Sequence, residues 1–370
     1  MAIELIRAIY DSTFPFPIDE KYYWGAIEDI EFFGISSQIY HLLKQNKQLE
    51  HTPPFFQERL KQKYTKALYQ NLFIKNQTEL ILREFEKVGI EVIPLKGVWF
   101  AEKYFGHVGA RGTSDIDLLV KPNLLDKAIE CIKELRFTPD PKAVQSGFNL
   151  TFFRELPHSP IPLMVEIHWN IVDPKTSSLN TEKLWKDAYP LRNSNYIKEL
   201  SDQHTFYMIT LHGWRHNMNS LKYFLDILQL INNNVLDISY QKIFKEANKD
   251  KTLNRIIRTL SIVYNQFSFL DERKMLIKKK SILTWSYENL LQPEEKSIRK
   301  YLDFFDYQIF SFDQFTHSIA EIFAWIFPSK YLVETELKAN DSNRSYQSLY
   351  IKLIKKRVSN FYKTIITHNS

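Results

Sequence analysis

Two aspartates two residues apart, Asp115 and Asp117, open an apolar run inside the stretch from Arg111 to Val120. The run reads as a buried β-strand, and side chains two apart on a strand point the same way. Both carboxylates therefore face one side, while Ile116, Leu118 and Val120 pack on the other. Like charges held that close are unfavourable unless a cation stands between them. A divalent hard cation meets that need, because it takes carboxylate oxygens and brings substrate phosphates with it. The pattern points to metal-dependent phosphoryl or nucleotidyl chemistry.

A second strand, Val165 to Trp169, turns Glu166 away from Val165 and Ile167. If the two strands are neighbours, Glu166 becomes a third carboxylate. Three carboxylates can hold two Mg²⁺ ions, one clamping a triphosphate and one activating an attacking hydroxyl. Taken singly, an Asp-x-Asp is often a loop or cap feature and a strand glutamate is often a solvated edge charge. Their conjunction in one small α/β unit favours the catalytic assignment. His168 shares the face of Glu166 by strand period and lines the same pocket or serves as a hydrogen-bonded structural histidine. His212 and His216 have the i, i+4 spacing of zinc ligands on a helix. Gly213, however, stands where a zinc protease carries glutamate, and no third ligand is evident. Lys222 and Asp226, also i, i+4, are explained by a surface ion pair.

These side chains need a scaffold, and the chain divides by texture. Residues 1–90 read as helical, with a long helix from Pro54 to Val88 whose Leu60, Tyr64, Leu68, Leu72, Leu82 and Phe85 recur at helical spacing. Ile90 to Leu95 is a short apolar strand, followed by Lys96-Gly97 and a helical run through Phe105. After the aspartate strand, a helix is expected from Asn123 to Arg136 with Asn123 as N-cap. Val144 to Phe153 and Leu163 to Trp169 read as two more strands. From Thr181 the pattern is helical almost to the end, broken at Lys278 to Ser281 and Lys338 to Ser345. The expected class is α+β: a mixed-sheet core over 91–180 between an N-terminal helical region, 1–90, and a C-terminal helical domain, 181–370.

Composition narrows the function classes. The 370 residues are 44% apolar and 25% charged, as in an ordinary soluble protein. The lone Cys131 cannot form an intramolecular disulfide, so nothing points to secretion. The N-terminus, Met-Ala-Ile-Glu-Leu-Ile-Arg, lacks the apolar centre of a signal peptide. The late apolar run Ile322 to Phe327 is six residues long, too short to span a bilayer. A cytoplasmic protein without membrane partners is expected. The net charge of +6 and the basic clusters Lys278–Lys280 and Lys355–Arg357 allow contact with nucleic acid, but solvated helix faces explain them better.

The motifs Leu95-Lys96-Gly97, Arg111 with Ser114-Asp115-Ile116-Asp117-Leu118, and Glu166-Ile167-His168-Trp169 resemble the uncharacterised bacterial nucleotidyltransferase family of the DNA polymerase β superfamily. His212-Gly213, Leu225-Asp226-Ile227 and Phe327-Pro328-Ser329 extend the similarity over roughly residues 30 to 360. The resemblance implies a nucleotidyltransferase-type fold and transfer of an NMP from an NTP, such as ATP, to an unidentified acceptor, with Mg²⁺ or Mn²⁺. It implies that Asp115, Asp117 and Glu166 bind metal and catalyse, while Lys96, Gly97, Arg111 and Ser114 face the nucleotide. One departure stands out. The superfamily usually begins the helix after its first strand with Gly-Ser or Gly-Gly, whereas here Gly97 precedes Val98. The phosphate grip is then expected from Lys96, Arg111 and Ser114. The alternatives are a degenerate member that binds NTP or a partner without turnover, and a toxin-like enzyme acting on RNA or tRNA ends.

Overall fold

The computed structural model describes residues 1–140, 147–157, 159–192, 194–233, 236–292, 298–337 and 345–366. Three helices, α1 (Ala2–Tyr10), α2 (Glu20–Phe32) and α3 (Ser36–Gln45), lead into the long α4 (Pro54–Lys87). Proline at the first turn of α4 suits a position whose N–H has no intrahelical partner. The sheet unit follows as β1 (Val92–Pro94), α5 (Gly97–Phe105), β2 (Asp115–Val120), α6 (Leu125–Glu134), β3 (Thr138–Pro139), β4 (Asn149–Arg154) and β5 (Leu163–His168). The helix expected from Asn123 starts later, because a 3₁₀ turn over Pro122–Leu124 precedes it and Asn123 does not cap it. The strand expected from Val144 begins at Asn149, and residues 144–146 of that expectation lie outside the described residues.

The strands lie in the order β1-β2-β5-β4-β3. The central pair β2–β5 is parallel, and the other pairs are antiparallel. On one face Ile116, Leu118, Val120, Val165 and Ile167 pack against Ile81 and Phe85 of α4 and Ile132 of α6. The strand period thus buries the apolar set the sequence assigns to it. On the other face, Ile93 and Leu119 join a core that runs from α1–α3 through α5.

That core continues into the C-terminal helices. After the short α7 (Glu182–Lys186) the chain makes a small hairpin, β6 (Tyr189–Pro190) and β7 (Lys198–Glu199), within a region expected to be helical. The hairpin fastens to the sheet edge, where Val92 N–H donates to the Tyr196 carbonyl at 2.9 Å. Two-residue strands, one of them containing a proline, leave no periodicity to read. Next come α8 (Asp202–Arg215), α9 (Leu221–Asn232), α10 (Tyr240–Asp250) and α11 (Leu253–Gln266). Phe206, Phe224, Ile243 and Leu260 from these four helices share the core with Leu5, Ile27 and Ile39 of the N-terminal ones. The short α12 (Leu270–Arg273) and α13 (Glu288–Leu291) precede α14 (Ile298–Gln308), α15 (Phe315–Ile326), α16 (Lys330–Leu337) and α17 (Tyr346–Ile366). Among the described residues no helix is long and apolar enough to cross a membrane.

In α4 the inward face differs in part from the expected one. Leu72 is exposed, and Asn71, Ile74, Thr78 and Ile81 turn in instead. Asn71 is the informative member. Its side-chain amide donates to the carbonyls of Val108 (2.5 Å) and Arg111 (2.7 Å), and its oxygen accepts from Thr113 N–H at 3.1 Å. A buried asparagine in the long helix thus fastens the loop that delivers β2 to the site.

Candidate active site

The register of the central strands decides which carboxylates meet. Asp117 lies directly opposite Glu166 across the parallel β2–β5 pair. His168 follows Glu166 by one strand period and faces the same side. Its Nε2 stands 3.1 Å from Asp117 Oδ1 and 3.2 Å from Glu166 Oε2. Glu166 also accepts from the Asn149 side-chain amide at 3.0 Å. Asn149 comes from β4, where it pairs with His168.

The other oxygen of Asp117 takes Lys96 Nζ at 3.1 Å. Lys96 occupies the N-cap position of α5, and the next residue, Gly97, has φ +69°. That left-handed backbone favours glycine. A Cβ on Gly97 would also stand 3.2 Å from Thr113 Cγ2. Glycine therefore closes the strand-to-helix turn and brings Lys96 over the sheet.

The helical layer forms the opposite wall. His212 of α8 places Nε2 3.2 Å from Lys96 Nζ. The rings of His216 and Tyr223 stack at 5.2 Å with 7° between planes, and His212 meets both edge-on. Lys222 of α9 makes no ion pair among the described residues, and its nearest electrostatic influences include Arg111, Asp226 and Asp115.

The electrostatics follow from burial and these contacts. Burial raises the Asp117 pKa, but Lys96 and His168 more than reverse this and hold the carboxyl far below its ordinary range. Burial likewise raises Glu166, and the His168 bond brings it below its ordinary value. Burial would lower His168, yet its bonds to Asp117 and Glu166 carry it above its ordinary value. Asp115 is raised, first by burial and then by Asp117. Burial and then Lys96 keep His212 well below its ordinary value, so it is neutral at pH 7. Burial and then Arg111 lower Lys222 to about 8.

Donor atoms of Asp117, Glu166 and His168 lie within 4.8 Å of one another. Two ligands of one hard divalent ion stand at most about twice a 2.0–2.6 Å bond apart, roughly 4–5 Å, so this group fits a single cation. Asp115 is on the same strand face but outside that group, and Ser114 Oγ donates to its Oδ1 at 3.3 Å. The expected trio of Asp115, Asp117 and Glu166 thus differs from the converging one by His168, which strand period had placed on the right face.

Arg111 departs further from expectation. Its Nε and Nη2 each donate to Asp226 of α9 at 2.7 Å, and both side chains are buried. The guanidinium is committed to a buried pair with Asp226, and Asp115 and Asp117 also act on it electrostatically. Asp226, expected to pair with Lys222 on a surface, is fully buried on Arg111 instead. Asn149 and Lys222 carried no signal strong enough for a site assignment, because only register and helix docking bring them in. A cavity of about 880 Å³ lies elsewhere, beside Ser201 and His204 at the N-terminal end of α8. The site is therefore located by its donors and not by volume.

A mixed five-stranded sheet with flanking helices, carrying a paired acidic cluster beside a glycine turn, is a nucleotidyltransferase-type α+β fold. The chain belongs to the family described as Uncharacterised nucleotidyltransferase, whose model matches residues 28–266. The match covers every site residue above and ends well before residue 360, so the Phe327-Pro328-Ser329 stretch lies beyond it. No curated protein and no solved structure matches the chain.

Proposed function

We propose that this protein transfers the NMP moiety of an NTP to an acceptor hydroxyl with release of pyrophosphate, as a member of the polymerase β superfamily. The observation that carries this is the in-register pairing of Asp117 with Glu166 across parallel strands, with His168 in contact with both. An ion bound by Asp117, Glu166 and His168, Mg²⁺ or Mn²⁺ by the hardness of the oxygens, supplies charge neutralisation at the reacting phosphate.

The residues divide the remaining work. Lys96, at the N-terminus of α5, meets the phosphates with an ammonium and the positive end of the helix. Gly97 leaves room for their approach, and Ser114 orients Asp115. Arg111 acts at one remove, holding the loop before β2 on α9 and adding positive potential beneath the cleft. Lys222, which makes no ion pair among the described residues, faces the nucleotide from the helical wall. The acceptor oxygen attacks the α-phosphorus and the new O–P bond forms. The bond from the α-phosphorus to its bridging oxygen breaks, and pyrophosphate leaves. The hydroxyl proton passes to the Asp115 carboxylate, the acid of the three with no cation bonded to it among the described residues and with a raised pKa. Positioning and charge neutralisation supply most of the rate.

One observation favours a second reading. Both oxygens of Asp117 already have cationic partners, Lys96 and His168, which could substitute for an ion in a protein that binds nucleotide without turnover. Incubation with each labelled NTP, Mg²⁺ or Mn²⁺ and cell extract separates the two. Label transfer and pyrophosphate release support the enzyme, whereas nucleotide binding without either, under all conditions, supports the binder.

A further inference from the structure

We propose that His212 is a positioning residue: it holds the Lys96 ammonium over the carboxylate cluster, so that the helical layer sets where the phosphate-binding cation stands. This rests on the nucleotidyl-transfer reading for what Lys96 does, but the contact itself is independent of it.

Among the described residues, Lys96 is tied to the sheet by its own backbone at the start of α5 and by one oxygen of Asp117, 3.1 Å away. A four-carbon side chain with a single such contact is poorly localised, because lysine has several rotatable bonds and a compact charge. His212, 116 residues further along the chain, supplies a second contact at 3.2 Å from Nζ to Nε2. An ammonium only donates. Nε2 is therefore the unprotonated nitrogen, and the ring proton is on Nδ1, which is buried with no partner among the described residues. An orphaned buried donor is unfavourable, so the ring is kept in this pose by something else. The edge-on rings of His216 and Tyr223, at 4.8 and 5.2 Å, supply that restraint. The arrangement gives up a hydrogen bond at Nδ1 and retains the one to Lys96.

The consequence is a division of labour between the layers. The sheet presents the acids, and α8 presents the acceptor that keeps the cation beside them. A displacement of α8 would move Lys96 without touching a carboxylate.

The test uses full-length protein and two variants, His212→Leu, which removes the acceptor, and His212→Gln, whose Oε1 keeps one. The ε-carbon resonance of Lys96 is followed in protein labelled at lysine with ¹³C and assigned with Lys96→Arg. In the nucleotide-free protein His212→Leu should shift that resonance and His212→Gln should return it toward wild type. Binding of ATP with Mg²⁺ should weaken about tenfold in His212→Leu, the size expected for a hydrogen bond to a charged group. Glutamine should restore most of that binding. In a Lys96→Met background His212→Leu should have no further effect on ATP binding, because the coupling runs through one ammonium. An unchanged Lys96 resonance in His212→Leu, or equal losses of binding from leucine in both backgrounds, overturns the proposal. A wild type that binds none of the four NTPs defeats the functional reading instead, and leaves the resonance to decide the contact.

Discussion

Two buried aspartates belong to different layers around this cleft, and they are satisfied in different ways. Asp226 of α9 takes its two short bonds from one residue, the Arg111 fork, with each distance 2.7 Å, and a longer one from the Gln38 side-chain amide at 3.5 Å. Asp117 of β2 takes one bond to each oxygen from two different groups, Lys96 and His168, at 3.1 Å. The fork is a bidentate, geometrically closed pair, the kind that fixes one element on another. The second arrangement is looser and leaves each partner able to leave when another cation arrives. The same contrast recurs further on, where the buried Arg258 of α11 bonds Asp303 and Asp306 of α14 at 2.7 and 2.8 Å. Buried arginine pairs tie helices together here, whereas the looser pairing, shared between two groups, stands at the proposed site.

The comparison is broken most sharply at Asp117. Asp117→Asn keeps the shape and removes one negative ligand, so nucleotidyl transfer should fall by about a thousandfold or more, and the unfolding midpoint should fall as well, because Lys96 and His168 favour the charged carboxylate in the folded protein. Pyrophosphate release and calorimetry on the same preparations check both halves. If transfer survives in Asp117→Asn, the assignment of the metal-binding acid is wrong.

Asp226→Ala should act chiefly on stability. It strands the Arg111 guanidinium in the interior and should lower unfolding stability by about 3–5 kcal/mol, read by urea denaturation. The double change Arg111→Met with Asp226→Leu removes both charges and should recover most of that loss, because a buried pair is often replaceable by well-packed apolar groups. Failure to recover would mean that the fork also sets the geometry of the loop before β2.

A third measurement sharpens the distinction between enzyme and binder. Mn²⁺ at about a hundred times its dissociation constant should stabilise the wild type by about 2.7 kcal/mol, and should do so far less in Asp117→Asn or Glu166→Gln. A flat response in the wild type would mean that Lys96 and His168 already neutralise the cluster.

The smallest effect expected is one of pH. Burial and then Arg215 lower His216 to about 4 from an ordinary 6.5. Its folded pKa is depressed, so the unfolded chain binds the proton more readily between those values. The stability from keeping it neutral is complete above 6.5 and is lost as pH falls toward 4. His216→Gln should flatten the decline of stability between pH 6.5 and 4, relative to wild type. An identical slope in the two proteins would show that the histidine titrates normally.

What the sequence determined by itself is local. Strand period placed Asp115, Asp117, Glu166 and His168 on one face and their apolar neighbours on the other, and glycine after Lys96 announced a turn that only a residue free at positive φ makes easily. Both follow from geometry within a few residues, which a sequence carries in full. Tertiary structure decided which of those groups meet. The parallel register set Asp117 opposite Glu166, brought His168 into the cluster in place of Asp115, and added Asn149 from a strand paired on the far side. Asp226 came to Arg111 from 115 residues away, and His212 and Lys222 arrived with the docking of α8 and α9. Strand order and helix docking are set by how the whole core packs, and the periodicity of any single segment holds no record of its partner.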